Sequence, residues 1–342
     1  MTLHAPELDG LTITVVVDNA TDTLSSVAPG IPQLPELAHL LGRTPTGRHD
    51  GRDCVVTFDR LCVACHGFSA LCTARHGART ATVLFDVGPY GDVWLANAER
   101  LAVDLSSIDV LFLSHWHWDH SGTIPAVVNA IAATRARARR APLIVDVHPD
   151  RPDQRGILTP FDTFAMLPPE PTIDEIHAAG GDVRAHADTH PVADLFVGSG
   201  DIPRRTSYET GLAGHHSWRG TQVTADPDIH DERFLAARVR GRGTTVLTAC
   251  SHAGVVNVGL EARRLFNQPV DLLLGGYHLA GATVEDRIEP TVHDLTHLVA
   301  PRIVAPGHCT GWRAAAALAG AFSPGRYAPS VVGARYVLDA EP

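Results

Sequence analysis

The stretch Ser114-His115-Trp116-His117-Trp118-Asp119-His120-Ser121-Gly122 places four metal-competent side chains within six positions. Imidazole nitrogens and a carboxylate are good ligands for zinc, and for manganese or iron. The apolar run Ile108 to Leu113 precedes them and reads as a buried parallel strand. A strand that ends in His-x-His-x-Asp-His, with Gly122 opening a helix, projects all four side chains into one concave pocket. The chemistry expected there is that of a bound metal.

Three later apolar runs also end in histidine: Thr248-Ala249-Cys250-Ser251-His252, Leu274-Gly275-Gly276-Tyr277-His278 and Ala305-Pro306-Gly307-His308. In an open α/β sheet, ligands collect outside the C-terminal ends of the strands. Histidines at such ends, next to glycines that let the backbone approach closely, are better ligand candidates than histidines on helix faces.

The pattern of apolar residues supplies the elements that must carry these ends. Strands are expected at Leu11–Val17, Cys54–Phe58, Phe68–Thr73, Thr82–Phe85, Ile108–Leu113 and Leu143–Val147. In the second half they are expected at Leu195–Val197, Phe234–Val239, Thr244–Thr248, Asp271–Leu274, Arg302–Val304 and Tyr336–Leu338. Helices are expected at Glu36–Leu41, Asp92–Ala102, Gly122–Arg140, Val256–Phe266, Thr283–Val299 and Trp312–Ala321. Residues 28–51 and 151–171 are rich in Pro or Gly and read as irregular insertions, the second a lid or crossover. Strands alternating with helices and no convincing linker give an α/β chain, residues 1–342 as one domain of two sheets with helices outside.

Composition narrows the function. With a formal charge of −10, the chain has no general surface for nucleic acid or an anionic membrane. Every basic residue other than histidine is Arg. Met1 to Gly10 lacks a basic region followed by an apolar stretch, and no run is long enough to span a bilayer. The six scattered cysteines do not form a secreted disulfide framework, so free thiols in the cytoplasm are expected.

His115-x-His117-x-Asp119-His120 followed by Gly122 resembles the signature of the metallo-β-lactamase fold superfamily. The likeness extends to Phe85-Asp86-Val87-Gly88 and to Pro306-Gly307-His308. Further motifs resemble the branch of dihydropteroate-synthase-like or ribofuranosylaminobenzene-phosphate-synthase-like metallo-hydrolases. They are Val17-Asp18-Asn19, His66-Gly67-Phe68-Ser69, Asn97-Ala98, Gly200-Asp201-Ile202-Pro203-Arg204, Cys250 to Gly254, Gly275 to Leu279 and Gly307 to Gly311.

The resemblance implies an αββα sandwich of two mixed sheets with one or two divalent ions, zinc first and manganese or iron next, at its edge. It implies that His115 and His117 bind one ion, with His252 completing the set. Asp119 and His120 would bind the other, with His308 closing it. Many members carry a bridging Asp in a Gly-Asp turn where this chain reads Cys250-Ser251-His252, so the number of ions is open and Asp201 is either a bridge or structural. The implied activity is a hydrolase in which metal-bound hydroxide, oriented by Asp119, cleaves a phosphoester or ester-like bond of a small metabolite. Alternatives on the same fold are a mononuclear iron oxygenase and a pterin-related transferase or synthase. A metal that only holds a binding scaffold together is the non-enzymatic alternative.

Around the ligands, His278 is the expected catalytic companion, with His148 and His66 as outer partners or proton donors, and each is equally readable as a structural histidine. Arg204 with Arg205 offers a clamp for a phosphate or carboxylate of an anionic substrate, against the plainer reading of an exposed pair. Asn19 and Tyr208 are the other expected substrate contacts, and Tyr208 and Glu209 are placed near the mouth of the site. A homo-oligomer is compatible with the sequence. Cys62-Val63-Ala64-Cys65-His66 matches the haem-attachment pattern but without export, and a zinc or redox role for its thiols is a minor alternative. His293 and His297 read as a surface pair on a helix, His186 and His190 have no assigned role, and His215 and His216 are candidates for the mouth.

Overall fold

The computed structural model describes residues 5–44, 46–55, 58–322 and 325–342. The strand expected at Cys54–Phe58 falls partly outside them at residues 56 and 57, and Arg52–Cys54 pairs with Gly47–His49 as a small hairpin. Residues 1–4, part of the segment read for a leader, also lie outside the described residues.

Period-two patterning builds two facing sheets. In Gly10–Val17, Leu11, Ile13 and Val15 point between the sheets, and Val16 and Val17 pack on the helices outside. An irregularity in the ladder between Val15 and Val17 produces that change of phase. Leu272 and Leu274 of Val270–Gly276 face the same inter-sheet core while Val270 and Leu273 face the opposite helices.

The eight-stranded sheet runs Gly181–Ala185, Leu143–Val147, Val110–Phe112, Arg79–Phe85, Ser69–His76, Gly10–Val17, Arg335–Asp339, Gln33–Leu34. Its first four strands are parallel and the remainder antiparallel. The seven-stranded sheet runs His190–Val192, Phe196–Gly198, Leu235–Val239, Gly243–Thr248, Val270–Gly276, Ile303–Gly307, with Glu7–Leu8 added beside Leu235–Val239. Its last three strands are parallel.

Helices Gly91–Arg100, Ile124–Arg137 and Ile173–Ala178 cover the first sheet. Val255–Phe266, Ile288–Asp294 and Trp312–Ala321 cover the second. This is the αββα order expected from the sequence.

Two expectations need correction. The segment 151–171 is not irregular throughout: Gln154–Leu158 and Phe164–Met166 form an antiparallel hairpin that continues through His215–Arg219 and Gln222–Ala225 as a four-stranded sheet. Its prolines fall outside those strands, where a missing N–H costs no ladder bond. The helix expected over Thr283–Val299 is shorter, running Ile288–Asp294 before a π-helical turn at Leu295–Val299.

Candidate metal centre

The first ligand-bearing loop leaves Val110–Phe112, and a short helix Trp118–Ser121 follows it. Its course is set by buried charge. Asp231 accepts from Trp116 N at 2.7 Å and pairs with Arg155 at 2.6 Å, and Arg155 also donates to the Trp116 carbonyl at 2.6 Å. Burial alone would raise the Asp231 carboxyl, but the Arg155 guanidinium holds it well below the usual carboxylate range. The residue between the two histidines is thus locked, so their rings turn inward.

His115, His117 and His252 converge. His115 Nε2 lies 3.0 Å and His252 Nε2 3.2 Å from His117 Nδ1. Beside them stand Asp119, His120 and His308, with Asp119 Oδ2 at 3.6 Å from His120 Nε2 and 3.3 Å from His308 Nε2. The structure therefore gathers the six residues singled out in the sequence into two adjoining sets, divided as the resemblance implied.

A seventh donor was missed. Cys250 Sγ lies 3.2 Å from His120 Nε2 and 3.3 Å from His308 Nε2, inside the second set. The signal was present, since Cys250 falls at a strand end two residues before His252, where many superfamily members carry the bridging Asp. Asp201 does not join either set; it is exposed and faces His230 at 3.3 Å and Arg204 at 3.7 Å.

The donor chemistry fits metal ions. A tetrahedral ion with bonds of about 2.0–2.3 Å separates its ligand atoms by roughly 3.3–3.8 Å, close to the spacings here. Burial first, and then neighbouring imidazoles, push His115, His117 and His252 well below the ordinary histidine range, so they stand neutral. The outward ring nitrogens are held as ligand histidines require. His120 Nδ1 meets Asp86 at 2.9 Å, His115 Nδ1 meets Ser114 Oγ at 2.8 Å, His308 Nδ1 meets Asn19 Oδ1 at 3.0 Å, and His117 Nε2 meets His215 at 2.9 Å. His252 Nδ1 is buried without a partner.

Each strand end is braced. Asp86, which follows Arg79–Phe85, accepts from Ser114 N at 2.7 Å and Ser114 Oγ at 2.8 Å as well as meeting His120. Asp18, which follows Gly10–Val17, accepts from His308 N at 2.7 Å and Ser330 Oγ at 2.7 Å, and burial raises its carboxyl to about 6. Gly307 is required there, because a Cβ would lie 2.4 Å from Asp18 Oδ2. Glu232 accepts from the backbone of His252 and Ala253 at 2.8 and 2.7 Å.

The outer residues divide. His66 lies at the rim with Nε2 3.3 Å from Asp119 Oδ2, and the His278 ring lies 4.4 Å from the His252 ring, tilted against it by 53°. Asn19 touches His308, His66 and Gly67 N, so it orients ligands, whereas a substrate contact had been expected of it. His215 adjoins His117 but is buried, so it backs a ligand and does not line an open mouth. His216 instead packs on Phe164 of the four-stranded sheet.

Arg204 corrects its assignment as a substrate clamp, because its guanidinium donates to the carbonyls of Ile202 and Asp228. Arg205 pairs with Glu261 at 2.7 Å. Tyr208 also turns away from the site, its hydroxyl donating to Asp294 at 2.9 Å. Glu209 is buried as the cap of Val255–Phe266, accepting from Val256 N at 2.9 Å and Asn257 N at 3.0 Å. His148 is tied up locally, its Nδ1 accepting from Asp150 N at 3.1 Å. Cys62 and Cys65 join no metal-competent group among the described residues. Among those residues, no helix is long and apolar enough to cross a membrane.

Comparison with known proteins bears on the fold. The family model of the metallo-beta-lactamase superfamily matches residues 75–217. Over 253 residues the chain is 26% identical to the 7,8-dihydropterin-6-methyl-4-(beta-D-ribofuranosyl)-aminobenzene-5'-phosphate synthase of Methanocaldococcus jannaschii, covering 73% of this chain and 82% of that protein. An uncharacterized protein of the same organism is also 26% identical, over 250 residues, covering 73% of this chain and 85% of its own. A solved structure described as a metal-dependent hydrolase of the beta-lactamase superfamily superposes with a TM-score of 0.67 at 21% identity, covering 97% of this chain and 100% of that one.

Proposed function

On the premise that this chain has the metallo-β-lactamase fold, we propose that it is a metal-dependent hydrolase acting on a phosphoester or ester-like bond of a small molecule. One observation carries the reading: two sets of imidazole, carboxylate and thiol donors lie side by side at the common edge of two sheets. His115, His117 and His252 would hold one ion, and Asp119, His120, Cys250 and His308 the other. When bound there, divalent ions would acidify a water and would polarise a carbonyl or phosphoryl oxygen.

The chain's own residues do the rest. Asp119 presents Oδ2 to both His120 and His308, and so sits where it can orient an attacking water. His66 is two-thirds exposed at the rim, and its hydrogen bond with Asp119 raises its pKa, so it can hand a proton to a leaving group. His278 is the other candidate for that proton. Trp116 and the buried Arg155–Asp231 pair keep the ligand loop in one conformation, so little reorganisation accompanies substrate binding.

The test is zinc-loaded protein screened against phosphomonoesters, phosphodiesters, thioesters and lactones, beside Asp119→Ala. Turnover that Asp119→Ala abolishes is the expected result, with His66→Gln or His278→Gln lowering kcat on substrates with poor leaving groups. No turnover on any class by fully loaded protein overturns the hydrolase.

A second reading is favoured by the 26% identity to the archaeal synthase, namely group transfer onto a pterin-related or aminobenzene acceptor. It predicts formation of a dihydropterin-6-methyl-(ribofuranosyl)-aminobenzene phosphate from pterin and aminobenzene precursors by protein that is hydrolytically silent. Iron with oxygen consumption in protein purified without added metal would instead support the oxygenase.

A further inference from the structure

Away from the metal centre, Asp146, His186 and His190 bring three more donors together. Asp146 lies in Leu143–Val147 of the eight-stranded sheet, and His190 opens His190–Val192 of the seven-stranded sheet. His186 follows the edge strand Gly181–Ala185, in the crossing from one sheet to the other. Asp146 Oδ2 lies 2.7 Å from His190 Nε2 and 3.0 Å from His186 Nδ1, and the two imidazoles stack with centroids 3.9 Å apart.

The hydrogen bonding of this group does not close by itself. His190 Nδ1 lies 2.9 Å from the Asp188 carbonyl, which can only accept, so that nitrogen carries the proton. In a neutral ring, Nε2 then presents a lone pair to the Asp146 carboxylate. A positive charge must lie there, either a second proton or a metal ion. His186 Nδ1 is closed from solvent and has no hydrogen-bond partner, its approach to Asp146 being off the hydrogen-bonding angle. A second proton on His190 would leave that nitrogen idle, whereas an ion between the three residues uses it.

Asp146 is also aimed. Arg233 takes its other oxygen at 2.8 Å, and Arg233 is fixed over the Phe112 ring at 4.3 Å, leaving Oδ2 for the histidines. Asp146 and His186 line a cavity of about 480 Å³ with Arg79, Arg184 and Asp194, which leaves room for a fourth ligand from solvent.

We infer that Asp146, His186 and His190 form a separate zinc site, which staples the crossing between the two sheets and is completed by water or a small anion from the adjoining cavity. Two imidazoles and one carboxylate with an open fourth position are a good donor set for zinc. The site lies outside the catalytic cluster and does not depend on the proposed hydrolysis.

The test is zinc content by elemental analysis after dialysis, with thermal unfolding beside it. His186→Ala, at a half-exposed loop position, should fold normally and lose one equivalent of zinc relative to the unaltered chain, while keeping the equivalents held by the main centre. A His115→Ala/Asp119→Ala variant should keep the equivalent that His186→Ala loses. Cobalt substituted into that double variant should give visible absorption bands that His190→Gln removes. Equal zinc content in the unaltered chain and His186→Ala overturns the inference, as does a main-centre variant that binds no zinc, and either leaves an imidazolium–carboxylate pair.

Discussion

A ligand histidine is best oriented when its other nitrogen is committed, and at His120 that makes Asp86 decisive. Its carboxylate fixes the proton on His120 Nδ1 and at the same time holds Ser114. Asp86→Asn should lower metal affinity by roughly 10- to 100-fold with little change in fold, measured by titration with zinc against a competing chelator. Cys250→Ala should remove a donor from the second set, one that also lies within ligand reach of His252 and His278, so zinc content should fall by up to one equivalent. Strain marks the same place. Asp86, Ser251, His278 and His308 have φ of +55°, +60°, +44° and +44°, a region that costs non-glycine residues of order 1–3 kcal/mol each. Such backbone persists because buried hydrogen bonds over-determine it.

At the scale of elements, the helix Val255–Phe266 shows how the site is held from behind. It begins just after His252, and the buried Glu209 closes its N-terminus in place of a capping hydroxyl. Glu209→Ala leaves two amides unpaired and should cost about 2 kcal/mol in denaturant unfolding. Burial raises the Glu209 carboxyl to about 7 in the fold, against about 4.5 in the unfolded chain. The folded state therefore binds this proton more tightly, and the group's contribution to stability falls as pH rises from about 4.5 to about 7, levelling off above. Glu209→Gln should flatten that slope, read from denaturant midpoints at several pH values. The helix Ile173–Ala178 carries its own start signal, a capping box of Thr172 and Glu175 just past the Pro-rich run of 151–171. The strands Gly181–Ala185 and His190–Val192 were illegible because they are edge strands with few apolar residues, and edges need little hydrophobic patterning.

For the whole molecule, the two sheets are held by one apolar layer that runs beneath the metal centre. Phe85 packs on Phe68 with ring centroids 6.1 Å apart and on Phe112 at 6.0 Å, directly below Asp86 and the loop after Phe112. Phe85→Ala should cost about 3–5 kcal/mol, seen as a large drop in Tm, and should weaken metal binding through the loss of support. Ligand binding to the native state alone raises Tm by mass action, so stripping metal with a chelator should lower Tm, and added zinc should restore it. Unchanged Tm on stripping would show that the ions contribute nothing to folding.

Periodicity alone determined the alternation of strands and helices, the boundaries of Leu143–Val147 and Trp312–Ala321, and the placing of histidines at strand ends, because burial imposes a period of two or 3.6 on any core element. The ligand spacing in residues 115–120 was equally legible, since those donors are neighbours in the chain. Tertiary structure alone decided that Cys250 enters the second set, that Asp201 stays outside, that Arg204 and Tyr208 turn to protein partners, and that Asp146 meets His186 and His190. These depend on where strands far apart in sequence end relative to one another, and no local pattern encodes a distance between two sheets.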